Sequence, residues 1–341
     1  MTDQDPKRIL VIMLRRIGDV LLTTPALRAL RKAFPGALID FLVEPPSDQL
    51  LRGETALSNV LRFDRSFFGT LSWLGRVQGY DWVIDYMGNP RTALLTWASR
   101  APLRAGPAQV AHRWAYTHPM KESSVPCYSA LEKIRVLRAI GLFLDETDYF
   151  PVLSVPADAR QAAERAAAAL LPGSSPLVGL VPASRKVTRR WPARHYIELG
   201  RLLRDKLAAR LLVFWGPGER ELAEEVARGI GADAAPAPQA PDLMDLAAAL
   251  SLCRIVVTNC NGPKHIAAAC GVPTLTVHGS SDPACWNPPD PVRHPFIRLE
   301  SLPCIGCRKN DCPRGLECLE KLEPQAVFEA AERLLGIRAD A

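Results

Sequence analysis

The sequence predicts an α/β protein built from two doubly wound halves. One observation is a set of short apolar runs without alternation, at residues 9–14, 37–43, 177–181 and 254–258. Unalternating runs of this length suit strands buried on both faces of a parallel sheet. The second observation is that strand and helix patterns alternate, stop across a proline-marked segment at residues 151–176, and then restart. At 341 residues the chain is also long for a single core. Two domains are therefore expected, over residues 1–155 and 156–341, with ligand sites in the loops after the strands' carboxyl ends.

Taken in order, residues 9–14 read as a buried strand, interrupted by Gly18 and Asp19. Residues 20–34 read as one helix, with Leu21, Leu22, Leu27 and Leu30 on its apolar stripe and Pro35-Gly36 ending it. Residues 37–43 return as a strand, which completes a right-handed βαβ unit. A further buried strand is expected at 81–85, before the break at Met87 to Pro90. Residues 157–171 form an alanine-rich helix within the linker. The second half then offers strands at 177–181, 210–215, 254–258 and 272–278. Helices are expected between them at 192–207, 219–230, 242–250 and 263–270.

Composition narrows the function. Hydrophobic residues make up 48% and charged residues 23%, as in ordinary globular proteins. Basic residues outnumber acidic ones by 42 to 36, which favours anionic partners: nucleotides, phosphorylated glycolipids or anionic membranes. Blocks of like charge and aromatics interleaved with basic residues are missing, so nucleic acid is not expected as a partner. The first apolar run is too short for a membrane span and lacks a signal-peptide pattern, which leads us to expect a cytoplasmic protein. Nine cysteines do not change this, because Cys127, Cys253, Cys260, Cys270 and Cys285 are scattered rather than arranged as a disulfide scaffold.

Five motifs carry chemistry. Arg15, Arg16, Gly18 and Asp19 follow the first strand. Asp19 can serve as a helix N-cap, or as a carboxylate base. Ser184, Arg185, Lys186, Arg189 and Arg190 lie in one loop between a strand and a helix. That loop reads as a solvated basic turn or as a phosphate clamp. Trp215 to Glu219 forms a tight turn in which Glu219 either caps the next helix or accepts from a ribose. The turn from Asn259 to His265, through Cys260, Asn261, Gly262, Pro263 and Lys264, follows an apolar strand and opens a helix. Proline suits the first turn, and the helix start attracts anions, with Lys264 or His265 as added cations. Finally, Cys304, Cys307, Cys312 and Cys318 are close enough to hold zinc, with disulfides and packed free thiols as the other readings.

In order, these residues resemble glycosyltransferase family 9, the ADP-heptose:lipopolysaccharide heptosyltransferases. The resemblance runs over residues 7–335 and rests on RRIGDVLLTTPALRALRKAFPGALIDFLV, RRWP and NCNGPKHIAAACGVPTLTVHGSSDP. It implies a GT-B fold, two Rossmann-like domains facing a central cleft, with the acceptor in the first domain and the nucleotide sugar in the second. It also implies an inverting transfer without metal or cofactor, from ADP-heptose to a lipid-linked inner-core saccharide, with peripheral contact at the inner membrane. By the same resemblance Asp19 is the base and Arg15, Arg16 and Gly18 form the acceptor-side loop. Ser184, Lys186, Arg189, Asn261, Gly262, Pro263 and His265 bind the donor, and Glu219 holds its ribose. Two positions depart from the pattern: Cys260 stands where many members have Asp, and Arg189 where Lys is common. The alternatives are a family member using another nucleotide sugar, an epimerase-like enzyme and a non-catalytic nucleotide-sugar binder.

Overall fold

The computed structural model describes residues 5–336, so the outermost residues of both expected domain ranges lie outside it. It divides into two units, up to Pro151 and from Val152 onward.

The first unit runs β1 (Arg8–Ile12), α1 (Ile17–Leu21), α2 (Thr24–Ala33), β2 (Leu38–Val43), β3 (Asn59–Arg62), α3 (Phe67–Arg76), β4 (Trp82–Asp85), α4 (Pro90–Ala98), β5 (Leu103–Pro107), β6 (His118–Met120) and α5 (Ser129–Arg135). Its strands pair in parallel in the order β3-β2-β1-β4-β5-β6. That is the order of a dinucleotide-type doubly wound sheet. Strand β1 shows why an unalternating apolar run belongs here. Ile9 and Val11 pack with Leu27 and Leu30 of α2. Leu10 and Ile12 pack on the other face, with Trp73 of α3 and Leu95 of α4. All four β1 residues are fully buried.

The helix expected over residues 20–34 is in fact two, α1 and α2, interrupted at Leu22 and Thr23. Pro25 lies in the first turn of α2 and has no N–H to extend α1. The hydroxyls of Thr23 and Thr24 donate to the carbonyls of Asp19 and Leu21, at 2.7 and 2.9 Å, and satisfy the end of the first helix.

The second unit runs α6 (Ala157–Leu170), β7 (Leu177–Val181), α7 (Ala193–Leu207), β8 (Arg210–Val213), α8 (Arg220–Ile230), β9 (Ala234–Pro236), α9 (Leu243–Ser251), β10 (Ile255–Asn259), α10 (Gly262–Ala269), β11 (Thr274–Val277), α11 (Pro283–Trp286), β12 (Phe296–Ile297), α12 (Glu317–Glu320) and α13 (Pro324–Gly336). Its parallel sheet has the order β12-β11-β10-β7-β8-β9, the same winding repeated. Val178 and Leu180 pack with Tyr196, Leu199 and Leu203 of α7 and with Val327 and Phe328 of α13.

Candidate functional site

In the second unit the carboxyl ends of β7 and β10 are adjacent, with Val181 paired to Thr258. Asn259 has no exposed surface. Its side-chain amide donates to the carbonyls of Pro182 (2.8 Å) and Val181 (3.4 Å). Its carbonyl oxygen accepts from the Trp191 backbone N–H at 3.0 Å. Asn261 repeats the device one step out. Its amide donates to Ala183 O (2.9 Å), and its oxygen accepts from Lys264 N and from the Thr258 hydroxyl, both at 3.1 Å. Two asparagines thus fasten the basic loop after β7 to the start of α10.

Asn261 is the N-cap of α10, with Gly262 and Pro263 in the first turn. Pro263 has no N–H and that of Lys264 is taken by Asn261, so the turn offers an anion Gly262 and the helix dipole. His265 is buried just behind it. Lys264, named with His265 as an added cation for the anion site, is completely buried. Its Nζ donates to Trp286 O at 2.5 Å and lies 3.8 Å from Cys260 Sγ. Burial pulls the Lys264 pKa down, against the neighbouring thiol, which pulls it up.

The basic loop is less uniform than its sequence. Arg190 braces it, donating through Nε and Nη2 to the carbonyl of the buried Ser184 at 3.1 and 2.6 Å. Lys186 donates to Asn310. Desolvation and the like charges of Arg189 and Arg185 hold the Lys186 pKa below its usual value. The buried Nε of Arg189 has no hydrogen-bond partner among the described residues. A lysine whose charge is disfavoured by its arginine neighbours, beside an unspent guanidinium N–H, is an environment an anion relieves. Thr188 anchors the loop from below: its hydroxyl donates to Lys309 O and accepts from the Ser280 hydroxyl, both at 3.0 Å. Nearby, Glu219 occupies the N-cap position of α8, and its carboxylate accepts from Gly216 N at 2.9 Å, closing that turn.

In the first unit Arg15 and Arg16 are exposed after β1. Arg16 takes the N-cap position of α1, with Gly18 and Asp19 inside its first turn. Asp19 is therefore not the cap, although a carboxylate there still meets the positive end of the helix dipole. Asp19 is half-buried and is an electrostatic neighbour of Lys133 on α5. Burial lowers the Lys133 pKa, and its Nζ donates to the Ser129 hydroxyl at 3.0 Å. Asp85 at the end of β4 is fully buried, which raises its pKa. It accepts from Met87 N (2.8 Å), Gly88 N (3.1 Å) and the Tyr116 hydroxyl (2.8 Å). Sequence reasoning placed Asn259 and Thr188 within their motifs without assigning them the bonds seen here, and it missed Ser280, Lys133 and Asp85; a polar residue ending an apolar strand, as at Asp85, was the signal available.

The sequence profile described as "Glycosyltransferase family 9 (heptosyltransferase)" matches residues 74–316. The chain belongs to glycosyltransferase family 9. It is a glycosyltransferase, and its two Rossmann-like domains are those of the GT-B fold. It is 29% identical to lipopolysaccharide heptosyltransferase 1 of Pseudomonas aeruginosa, covering 96% of this chain and 98% of that one. Among solved structures it is similar to a family 9 glycosyltransferase from Veillonella parvula, with TM-score 0.82 and 25% identity over 96% and 97% of the two chains. It is also similar to an E. coli heptosyltransferase solved with ADP-2-deoxy-2-fluoro heptose, with TM-score 0.70 and 25% identity over 95% and 99%.

The departures from the family 9 pattern now have a setting. Cys260 is 5% exposed and its sulfur faces the Lys264 ammonium. Among the described residues, no three His, Cys, Asp or Glu side chains gather at metal-binding range. Cys304, Cys307, Cys312 and Cys318 are free thiols, and Cys318 is pushed up to about 11, chiefly by burial and further by the other three. No helix among the described residues is long and apolar enough to cross a membrane.

Proposed function

We propose that this family 9 enzyme transfers heptose from ADP-heptose to a lipid-linked, lipopolysaccharide-type inner-core acceptor, with inversion at the anomeric carbon. The observation that carries the reading is the stapled pair of loops in the second unit, where the α10 start and the basic loop meet at the ends of β7 and β10. That arrangement suits a sugar diphosphate. The leaving diphosphate gains negative charge as the glycosidic bond breaks, and preorganised donors lower that barrier. In our reading Gly262, Pro263 and the Asn261-capped helix start receive the diphosphate. Lys186 and Arg189 supply positive charge, Ser184 and His265 line the pocket, and Glu219 holds the ribose.

In the first unit Asp19 takes the acceptor hydroxyl's proton as that oxygen attacks the anomeric carbon, a step for which a half-buried carboxylate is suited. Arg15, Arg16 and Gly18 form the acceptor-side loop around it. The names of the relatives support heptose as the sugar. An acceptor carried in a bilayer would bring the enzyme to a membrane surface.

A thermal-shift screen of nucleotide sugars tests the donor, because a ligand of the native state stabilises it by mass action. ADP-heptose is expected to raise the transition temperature more than other nucleotide sugars do; a larger shift with a different donor overturns the choice of sugar. Asp19→Asn is expected to lower the transfer rate by about 10²- to 10⁴-fold while keeping that shift. Unchanged transfer would remove Asp19 from the role of base. Transfer is expected to persist under full chelation.

A further inference from the structure

We infer that the first unit carries its own docking surface for an anionic phospholipid bilayer, centred on Trp97 and Trp114; this rests on the proposed lipid-borne acceptor and says where the membrane is met. Between Asp85 and Glu122 the sequence contains no acidic residue, while it contains Arg91, Arg100, Arg104, Arg113 and Lys121. This stretch folds as α4, β5, a 3-10 turn at Arg113–Ala115, and β6. Helix α4 packs against both α3 and that turn, which brings the turn carrying Trp114 beside the helix carrying Trp97.

Two large aromatics stand out of this surface. Trp97 is 53% exposed and Trp114 61% exposed, and their rings meet edge to face at 6.1 Å. Leu94 lies one turn before Trp97 on the same outer face of α4 and is also exposed. An exposed tryptophan pair has no role in the sheet packing beneath it, and contiguous exposed apolar groups mark interaction sites.

A hollow lies beside each tryptophan. One, of about 530 Å³, is lined by Trp97, Arg100 and Arg104, with Leu74, Gly75 and Gln78 of the α3 end. The other, of about 420 Å³, is lined by Trp114, Arg113 and Lys121, with Ala108, Ala111 and Pro119. Each hollow therefore carries one tryptophan and two cations, and neither is lined by an acid. Arg104 is held in place, donating to the carbonyls of Ala115 (2.9 Å) and Ala101 (2.7 Å).

The chemistry of this arrangement selects a bilayer surface. Tryptophan rings settle at the depth of lipid head groups, with the indole body toward the acyl chains and the N–H toward water. Cations flanking them meet lipid phosphates, and each basic residue near an anionic leaflet strengthens binding by a factor of about five. A soluble phosphate would use the cations but leave two exposed indoles without a contact. A bilayer uses both at once.

The test is flotation of the purified full-length chain with vesicles of phosphatidylcholine alone, or of phosphatidylcholine with phosphatidylglycerol. Binding is expected only with phosphatidylglycerol and should weaken as salt rises. Arg113→Gln combined with Lys121→Gln is expected to weaken it about 25-fold, from the factor per cation above. Trp97→Ala with Trp114→Ala should weaken it without changing the salt dependence. The ADP-heptose thermal shift, run on every variant, reports folding and donor binding separately. Equal binding to neutral vesicles, or variants that float like the parent, would overturn the surface. So would self-association in sedimentation that is lost with the two tryptophans and replaces vesicle binding. A parent that shows the donor shift but does not float sinks this inference alone. A parent that floats without a donor shift sinks the proposed function and leaves the surface standing.

Discussion

Replacing Asn259 by alanine should unfold the second unit at a markedly lower temperature. The side chain is completely buried and makes two good hydrogen bonds, to Trp191 N at 3.0 Å and Pro182 O at 2.8 Å, and a longer one to Val181 O. Alanine leaves a buried N–H and a buried carbonyl without partners. Each orphaned group costs about 1–3 kcal/mol, so the sum is about 2–6 kcal/mol. For a unit of this size, 1 kcal/mol moves the transition by about 2–4 °C, which gives a drop of roughly 4–24 °C. Asn261→Ala is the internal comparison. It removes an N-cap and one staple from a partly exposed residue and should cost only about 1 kcal/mol. Scanning calorimetry of the two variants and the parent decides the matter. If Asn259→Ala melts within about a degree of the parent, or less harmfully than Asn261→Ala, the loops are not held by the Asn259 amide and the account of the site fails.

Other expectations follow from the same geometry. Burial pulls His294 from its ordinary 6.5 down to about 4. The folded chain thus keeps it neutral while the unfolded chain takes up a proton, and stability should fall by up to about 3 kcal/mol as pH drops from about 6.5 towards 4. Urea midpoints across that range should show a smaller acid loss in His294→Leu; an equal loss would place the acid sensitivity elsewhere. A Cβ on Gly106 would lie only 2.2 Å from a carbon of the Tyr116 ring, whose hydroxyl donates to the buried Asp85. Gly106→Ala is therefore expected to destabilise the first unit by about 1–3 kcal/mol, and an unchanged melting temperature would contradict that packing. Lys133→Met removes the cation beside Asp19 and should raise the acidic limb of the kcat/KM profile by up to about one pH unit. An unmoved limb would mean that Lys133 does not tune the base.

Which parts of this protein could be read from its residues follows from the range of the forces involved. The buried parallel strands were legible at residues 9–14, 177–181 and 254–258, because a strand covered on both faces must be apolar at every position. The turn from strand to helix at Asn259 to His265 was legible too, since proline and glycine restrict the backbone locally. Edge strands such as β6, β9 and β12 left no signal; three residues or fewer carry no period. The break between α1 and α2 was hidden behind an apolar stripe that runs through it, although Pro25 marked it.

The sequence alone therefore determined the doubly wound character of the two halves and the family, and it named the residues proposed to carry the chemistry. Only the tertiary structure decided what the polar side chains there do. Lys264 and Arg190 are cations in the sequence, yet one turns inward to Trp286 and Cys260 and the other is spent on Ser184. Asn259 became a staple because the end of a strand distant in sequence, β7, was brought beside it. Backbone preference and apolar period are local properties, whereas the partner of a buried polar group is chosen by whatever the fold packs against it.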